Sequence, residues 1–130
     1  MNIVRIAERF HVEIEWIIYN KMIYLMEILK EISESLMSGD NTSVHDLTSQ
    51  AIVQKIPAKK ILDEGLIAGM TIVGIRFRDN EIFLPEVLLA ARAMNAGMNL
   101  LNPILMKSDA PFRGRVVLGT VKGDMHDIGK

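Results

Sequence analysis

The last residues of the chain carry the side chains whose types and spacing best suit metal chemistry. Asp124, His126 and Gly129 form the pattern Asp-x-His-x-x-Gly, which follows closely on an apolar run at residues 115–118. One imidazole on such a loop can bind a metal ion that is held mainly by a macrocycle, while a neighbouring carboxylate accepts the second ring N–H and fixes the tautomer. The pattern therefore predicts a single-histidine metal ligand in a loop that follows a strand.

The elements that precede this loop are predicted to be helices. Apolar residues recur at helical spacing over residues 27–37, 44–52, 57–77 and 84–106. Any of Asp40, Asn41, Thr42 and Ser43 could cap the second helix, and Pro57 suits the first turn of the third. Because short polar turns join the four segments, the sequence predicts an antiparallel four-helix bundle.

Two features predict how the helices pack. Gly65 and Gly69 are four residues apart in the third helix and would let another helix backbone approach closely. In the fourth helix one apolar face is predicted, and Pro103 near its end implies a kink or a loosely held last turn. The residues of that face are Leu84, Val87, Leu88, Ala91, Met94, Met98, Leu101 and Leu105.

The helical periodicity stops after residue 107. Residues 108–114 have the composition of a linker, and residues 115–120 have the continuous apolar centre of a strand that is buried on both faces of a parallel sheet. Such a strand needs neighbours to satisfy its backbone, and none is present before Lys130. We therefore expect a complete helical module followed by the start of a truncated α/β module. The unpaired strand edge could also promote self-association.

Composition excludes several classes of function. The chain has 130 residues, 49% of them hydrophobic, no cysteine and a formal net charge of -1. It therefore lacks the clustered positive charge that nucleic acids need, it can form no disulfide, and it suits a reducing cytoplasm. Residues 16–26 are strongly apolar, but Asn20 and Lys21 interrupt them and leave too little for a membrane span. Residues 1–25 are either one more amphipathic helix or an extension upstream of a true start at Met22 or Met26.

From about residue 28 to residue 130 the chain resembles the N-terminal part of the corrinoid proteins of methyltransferase systems. It is more distantly similar to the cobalamin-binding modules of methionine synthase. The resemblance implies a helical cap domain at residues 26–107, a linker at 108–114, and at 115–130 the first strand and cobalt-ligand loop of a Rossmann-like domain. The matching segments are residues 31–40, 62–70, 77–86 and 119–130.

The resemblance also implies roles for residues of the loop. His126 would be the lower axial ligand of the cobalt in cobalamin, and Asp124 would accept its other ring N–H, which raises the basicity of the imidazole. Gly129 and Gly123 would leave room for the corrin and its displaced tail, since a side chain there would occupy that volume. Asp127 would help to shape the loop.

In the cap, the resemblance points to the start of the fourth helix. Phe83 resembles the aromatic residue that covers the upper face of the corrin, and Val87 and Ala90 could share that surface. An apolar cover is physically reasonable because it keeps water from a reactive metal centre. Plain core packing is the alternative: it is favoured for Val87, and for Phe83 both interpretations stay open.

The function implied by the resemblance is carriage rather than catalysis by this chain alone. A donor-specific methyltransferase would place a methyl group on cobalt, and a second methyltransferase would remove it. Two alternatives remain, a cobalamin-binding module of a methionine synthase-like enzyme and a cobalamin-sensing regulator. The regulator is disfavoured because the only tryptophan, Trp16, lies outside the matched region. Ending at Lys130, the chain is expected to bind cobalamin poorly, because the segments that resemble the lower nucleotide pocket would follow that residue.

Overall fold

The computed structural model describes residues 3–107, 114 and 116–124, and it describes the side chains of the first helix from residue 10 onward. Four helices form within this part of the chain. Helix α1 spans Ile3–Met37, α2 spans Asn41–Val53 and α4 spans Leu84–Leu105. Helix α3 is continuous over residues 58–78 and consists of Ala58–Lys60, a π-helical segment at Ile61–Ile67, and Ala68–Arg78.

The four helices share one hydrophobic core. Helix α2 packs against α1 and α4, and the two longer parts of α3 pack against the same two helices. Helix α1 contributes only its last third to this core, through Ile28, Leu29, Ile32 and Leu36, which recur on one helical face. The other buried apolar residues are Val44, Ala51, Ile56, Ile61, Leu66, Val73, Ala90, Ala93 and Leu101.

Helices α1, α2 and α3 end in the same way. The residues Gly39, Lys55 and Asn80 have φ angles of 76°, 60° and 59°, in the left-handed region. After each of them the next amide donates to the carbonyl five residues earlier, as in a Schellman motif: Asp40 to Ser35, Ile56 to Ala51 and Glu81 to Arg76, at 2.9–3.1 Å. The polar turns predicted after α1 and α3 are therefore present, whereas nothing in the sequence marked Lys55.

Asp40 is the N-cap of α2. Its carboxylate accepts hydrogen bonds from the backbone N–H of Ser43 at 3.0 Å and from the Ser43 hydroxyl at 2.7 Å. These bonds stabilise the charged form, the backbone one most, and hold the pKa of Asp40 below its ordinary value. One of the four predicted caps is thus confirmed. Pro57 immediately precedes Ala58 and is the N-cap of α3, one residue earlier than the predicted first turn.

The tight crossing predicted for Gly65 and Gly69 is confirmed, and α1 is the partner. A β-carbon on Gly65 would lie 3.1 Å from Cγ2 of Ile32, and one on Gly69 would lie 2.9 Å from the carbonyl oxygen of Ser33. The sequence did not reveal a third close contact, between α4 and α3. A β-carbon on Gly97 would lie 2.9 Å from both δ-carbons of Leu66.

The buried face of α4 differs from the predicted one. Leu84 and Leu88 are 42% and 46% exposed, so the prediction that they face the core is wrong. The buried residues are small ones with a single larger side chain: Ala90, Ala93, Gly97 and Leu101. The small residues lie on the side of α4 that packs against α2 and α3, where Leu66 and Thr48 leave no room for a β-carbon at Gly97, whereas Leu84 and Leu88 lie on another side of the helix.

Helix α1 runs without interruption through the boundary predicted at residues 25 and 26. Tyr24 marks the end of its contact with the rest of the molecule, since the Tyr24 hydroxyl accepts a hydrogen bond from Nε2 of Gln50 in α2 at 2.7 Å. All side chains from residue 10 to residue 24 are exposed. None of the helices, over the residues that could be searched, is long and apolar enough to cross a membrane.

The strand predicted at residues 115–120 is not confirmed. Residues 116–121 belong to neither a helix nor a strand, and Val116, Val117 and Leu118 are 84%, 94% and 64% exposed. This result has a physical reason, because a single extended segment has no neighbour with which to exchange backbone hydrogen bonds. Most of the predicted linker, residues 108–113, lies outside the described residues.

Candidate functional site

The described part of the C-terminal loop contains a tight turn. The backbone N–H of Asp124 donates to the carbonyl oxygen of Val121 at 2.9 Å, and Gly123 between them has a φ of 94°. Left-handed backbone of this kind favours glycine. Within the part of the chain that the structure describes, no heavy atom lies within 4 Å of where a β-carbon on Gly123 would be. The turn therefore presents its glycine towards open space, and the Asp124 side chain is exposed beside it.

The central residues of the predicted metal site fall outside the described part of the chain. These are His126, Asp127 and Gly129. Their roles, and that of Asp124 as the hydrogen-bond partner of the imidazole, stay predictions. The described turn ends two residues before the histidine and fixes only the approach to it.

Phe83 lies immediately before α4 and is the N-cap of that helix. Its backbone is extended, with φ at -117° and ψ at 178°, and its N–H donates to Oε2 of Glu86 at 3.1 Å. The Glu86 carboxylate thereby holds the residue that carries the aromatic ring. Phe83 is 65% exposed. A large apolar side chain is thus kept at the surface on a well-anchored backbone.

The two residues predicted to share this surface are in different environments. Val87, one turn after Phe83, is half-buried and packs against the core, whereas Ala90 is completely buried. Val87 thus contributes to the core, and a contact of its exposed half with a ligand stays a prediction. Of the three predicted cover residues, only Phe83 offers most of its side chain to a ligand.

Leu84 and Leu88 extend the apolar surface that begins at Phe83. Sequence reasoning assigned both to the core, but both are exposed, and they lie one turn apart on α4. The small residues Ala90, Ala93 and Gly97 carried the missing signal: they recur at helical spacing and mark the contact face, on a different side from both leucines.

Two other histidines lie within the described residues and neither resembles a metal site. Nδ1 of His45 is 3.0 Å from Oδ1 of Asp46, and Nε2 of His11 is 3.2 Å from Oε1 of Glu15. Both imidazoles are largely exposed. Each has one carboxylate neighbour on its own helix, as expected for solvated surface residues.

The helices α1 to α4 contain a recognised module. The family model described as B12 binding domain matches residues 28–102, which is more than half of the chain. The chain belongs to this family of B12-binding domains. Its match covers the part of α1 that packs in the core, all of α2 and α3, and most of α4.

Relatives agree with this assignment. A corrinoid protein of Desulfitobacterium hafniense is 36% identical over 109 residues, covering 82% of this chain and 50% of that protein. The trimethylamine and dimethylamine corrinoid proteins of Methanosarcina barkeri are 36% and 38% identical over 106 and 105 residues, each match covering 80% of this chain and 49% of the relative. The chain thus spans about half the length of the curated relatives it matches.

A solved structure is also similar. The monomethylamine corrinoid protein of Methanosarcina barkeri superposes with a TM-score of 0.61 at 33% identity, over 62% of this chain and 38% of that one. The family and these relatives indicate that the cofactor is cobalamin or a related corrinoid. The residues present fit such a group: the exposed apolar surface at Phe83, Leu84 and Leu88 suits a large macrocycle, and the open turn at Gly123 leaves volume beside the loop.

Proposed function

We propose that this protein carries a methyl group on a corrinoid between a donor-specific methyltransferase and a second methyltransferase. The observation that supports this best is the identity of 36–38%, over about four fifths of the chain, to proteins named as trimethylamine and dimethylamine corrinoid proteins. Those names favour a methylated amine as the methyl donor. The chain would be the carrier subunit of a cytoplasmic system and no catalyst by itself.

In this proposal the four helices form an antiparallel bundle that caps the corrinoid, and residues 115–130 begin a Rossmann-like domain below it. His126 would bind the cobalt from the lower side, and Asp124 would accept the other imidazole N–H and fix the tautomer. Gly123 and Gly129 would leave the volume that the cofactor needs, and Asp127 would shape the loop. When bound, the corrinoid supplies the methyl-transfer chemistry, while the protein supplies binding, ligation and control of exposure.

The surface at Phe83 would cover the upper side of the cofactor and exclude water. Because two partner enzymes must reach that side in turn, the cap must move aside and return. Residues 108–114, between the cap and the loop, are the proposed hinge. The observation behind this part of the proposal is that Glu86 anchors the Phe83 backbone while the ring is left exposed.

A chimera tests the ligation. The chain would be joined to the α/β half of the trimethylamine corrinoid protein of Methanosarcina barkeri, of which it spans about half. The chimera is titrated with hydroxocobalamin while the visible spectrum is recorded. We expect stoichiometric binding with the spectral change of imidazole ligation, and loss of that change in His126→Ala.

The chimera with His45→Ala is the matched control, because His45 is an exposed imidazole on α2 with a single carboxylate neighbour. It should keep the full spectral change. An identical spectrum in His126→Ala and the parent chimera would contradict the proposal, as would equal losses in the two variants. Asp124→Asn should keep the spectral change at saturating cobalamin but weaken the cofactor's affinity by about tenfold or more, the usual effect of removing a partner of a ligating histidine.

The cobalamin-binding module of a methionine synthase-like enzyme is the second candidate function. It would use the same cap and the same ligand residue, so the chimera does not separate the two. An assay of methyl transfer does: a carrier accepts a methyl group from a methylamine when the cognate methyltransferase is added, whereas a methionine synthase module accepts one from a methylated pterin.

A further inference from the structure

Residues 10–26 of α1 carry eleven large apolar side chains that the described helices leave largely exposed, although Gln50 of α2 bonds to the Tyr24 hydroxyl at one end of the segment. A large aromatic side chain has on the order of 150–250 Å² of surface, and a large aliphatic one has somewhat less. Eleven such side chains at about half exposure therefore expose roughly 1,000 Å² in total. These side chains lie on all sides of the helix and do not form one patch, and only Phe10, Ile14 and Tyr24 lie on the face around Ile17. The eleven residues, 38–67% exposed, are Phe10, Val12, Ile14, Trp16, Ile17, Ile18, Tyr19, Met22, Ile23, Tyr24 and Met26.

This surface lies outside the part of the chain that the family accounts for. The family model begins at residue 28, and contact between α1 and α2 ends near the hydrogen bond from Gln50 to the Tyr24 hydroxyl. A protruding helix without tertiary contacts has only its own weak propensity to stabilise it. A partner that covers residues 10–24 would therefore stabilise this part of α1 as well as bury its apolar surface.

One face of the segment is symmetric about Ile17. Residues four and seven positions away on either side of a helical residue share its face. Seven positions before and after Ile17 are the aromatic residues Phe10 and Tyr24, and four positions before and after it are the oppositely charged residues Glu13 and Lys21. All five are exposed in the structure. The face is therefore complementary to itself when it is turned end for end.

We propose that this face binds a second copy of the chain as an antiparallel helix pair whose twofold axis passes beside Ile17. Glu13 of each copy then lies next to Lys21 of the other, and Phe10 of each lies next to Tyr24 of the other. A parallel pair would set like charges against each other at both positions, which opposes association. The isologous arrangement is the commonest one in soluble homo-oligomers, since it forms each contact twice.

The proposal goes beyond methyl carriage and is independent of it. It places the helical modules of the two copies at opposite ends of the pair, and it requires residues 3–9 of each copy to turn away from the pair, because a straight partner helix would meet α2 beside Tyr24. About 14 residues separate Phe10 from Tyr24, which corresponds to a paired length of about 21 Å. A pair of this length is short, so we expect a dimer that dissociates on dilution.

Sedimentation velocity of the full 130-residue chain over a range of concentrations tests the proposal. We expect a monomer–dimer equilibrium that Ile17→Glu shifts entirely to monomer. Val12→Glu is the matched control, because Val12 is 65% exposed against 60% for Ile17 but points about 140° away around the helix. It should leave the dimer unchanged. Cooperative urea unfolding with the parent's midpoint checks that the core of α1 to α4 stays folded in both variants, whereas the helical content of residues 10–24 is expected to fall when the dimer is lost.

Charge reversal tests the antiparallel register. Lys21→Glu alone and Glu13→Lys alone should each weaken the dimer by about five- to tenfold, because two attractive contacts become repulsive. The double variant Glu13→Lys/Lys21→Glu should recover the parent affinity within about twofold, since the pairing is restored with its signs exchanged. No recovery would contradict the proposed register.

Other outcomes would overturn the proposal as a whole. One is a monomer at every concentration, and another is a dimer that Val12→Glu dissociates as fully as Ile17→Glu does. A third is a dimer that Val117→Lys dissociates, which would place the interface in the exposed segment after the helices. If the chain stays monomeric but cosediments with phosphatidylcholine vesicles, the surface would be assigned to membrane binding. Each of these results is independent of the cobalamin spectra that test the proposed function.

Discussion

Gly69 in α3 and Ser33 in α1 lie so close that a β-carbon on Gly69 would be 2.9 Å from the Ser33 carbonyl oxygen and 3.1 Å from its hydroxyl oxygen. A backbone carbonyl within a helix cannot move aside as the end of a flexible side chain can. This contact therefore sets the distance between the two helices, and with it the position of α3 against the core.

Replacement of Gly69 by alanine should destabilise the protein. Overpacking a tight contact costs about 1–3 kcal/mol, and the better helix propensity of alanine returns about 1 kcal/mol of that. We expect the free energy of unfolding, measured by urea denaturation, to fall by about 1 kcal/mol or more. Gly74→Ala is the control: no heavy atom lies within 4 Å of its β-carbon position, so the same change in the same helix should be stabilising.

Replacement of Thr48 by valine should raise the free energy of unfolding, in contrast to Gly69→Ala. The Thr48 side chain is fully buried in α2 beside Gly97, and among the described residues its hydroxyl has no hydrogen-bond partner. A buried unpaired polar group costs about 1–3 kcal/mol, so Thr48→Val should raise the unfolding free energy by about 1 kcal/mol. Thr71→Val should bring no such gain, because the Thr71 hydroxyl donates to the carbonyl of Ile67 at 2.8 Å and is exposed. Equal effects of the two substitutions would contradict this account.

Replacement of Lys55 by glycine should stabilise the protein. The φ angle of Lys55 is 60°, a left-handed conformation that is strained for a residue with a side chain. Lys55 occupies the same position in the Schellman motif after α2 that Gly39 occupies after α1. We expect Lys55→Gly to raise the unfolding free energy by about 0.5–1 kcal/mol in urea denaturation. The reverse change, Gly39→Ala, should be clearly destabilising, because its β-carbon would also lie 2.7 Å from Cβ of Leu89.

Asp40 should make stability depend on acidity. Because its pKa in the folded protein is lowered from the ordinary value of 3.8, the stabilisation it provides is complete above that value and is lost as the pH falls through the folded-state pKa. Asp40→Asn should therefore flatten the decline of the melting temperature below about pH 4. Asp46→Asn, which removes the same charge from the same helix, should leave that decline in place.

Phe83 should matter for the cofactor and little for the fold. Phe83→Ala should change the unfolding free energy by no more than about 0.5 kcal/mol, since the ring is 65% exposed and the backbone bond to Glu86 remains. In the cobalamin-loaded chimera it should speed the reoxidation of the reduced cofactor by oxygen, followed by its visible spectrum. Phe77→Ala, at another exposed phenylalanine, should not. An equal rate in the two variants would argue that Phe83 covers nothing.

Much of the helical fold could be predicted because its signals are local. The cap of α2 at Asp40, the break at Gly39 and the close approach at Gly65 and Gly69 each depend on the chemistry of a few neighbouring residues. The contact face of α4 could not be predicted in this way. Leu84 and Leu88 have the hydrophobicity of core residues, but they lie on a different side of α4 from Ala90, Ala93 and Gly97, which are buried against the other helices.

Residue types and their spacing along the chain were enough to indicate the family, the helical character and the candidate ligand loop. The packing of the helices sets which apolar residues are covered. It buried Ala90, left Phe83 exposed at a helix start, and left the face of α1 around Ile17 open. Burial depends on which helices meet and how closely, and periodicity within one helix does not contain that information.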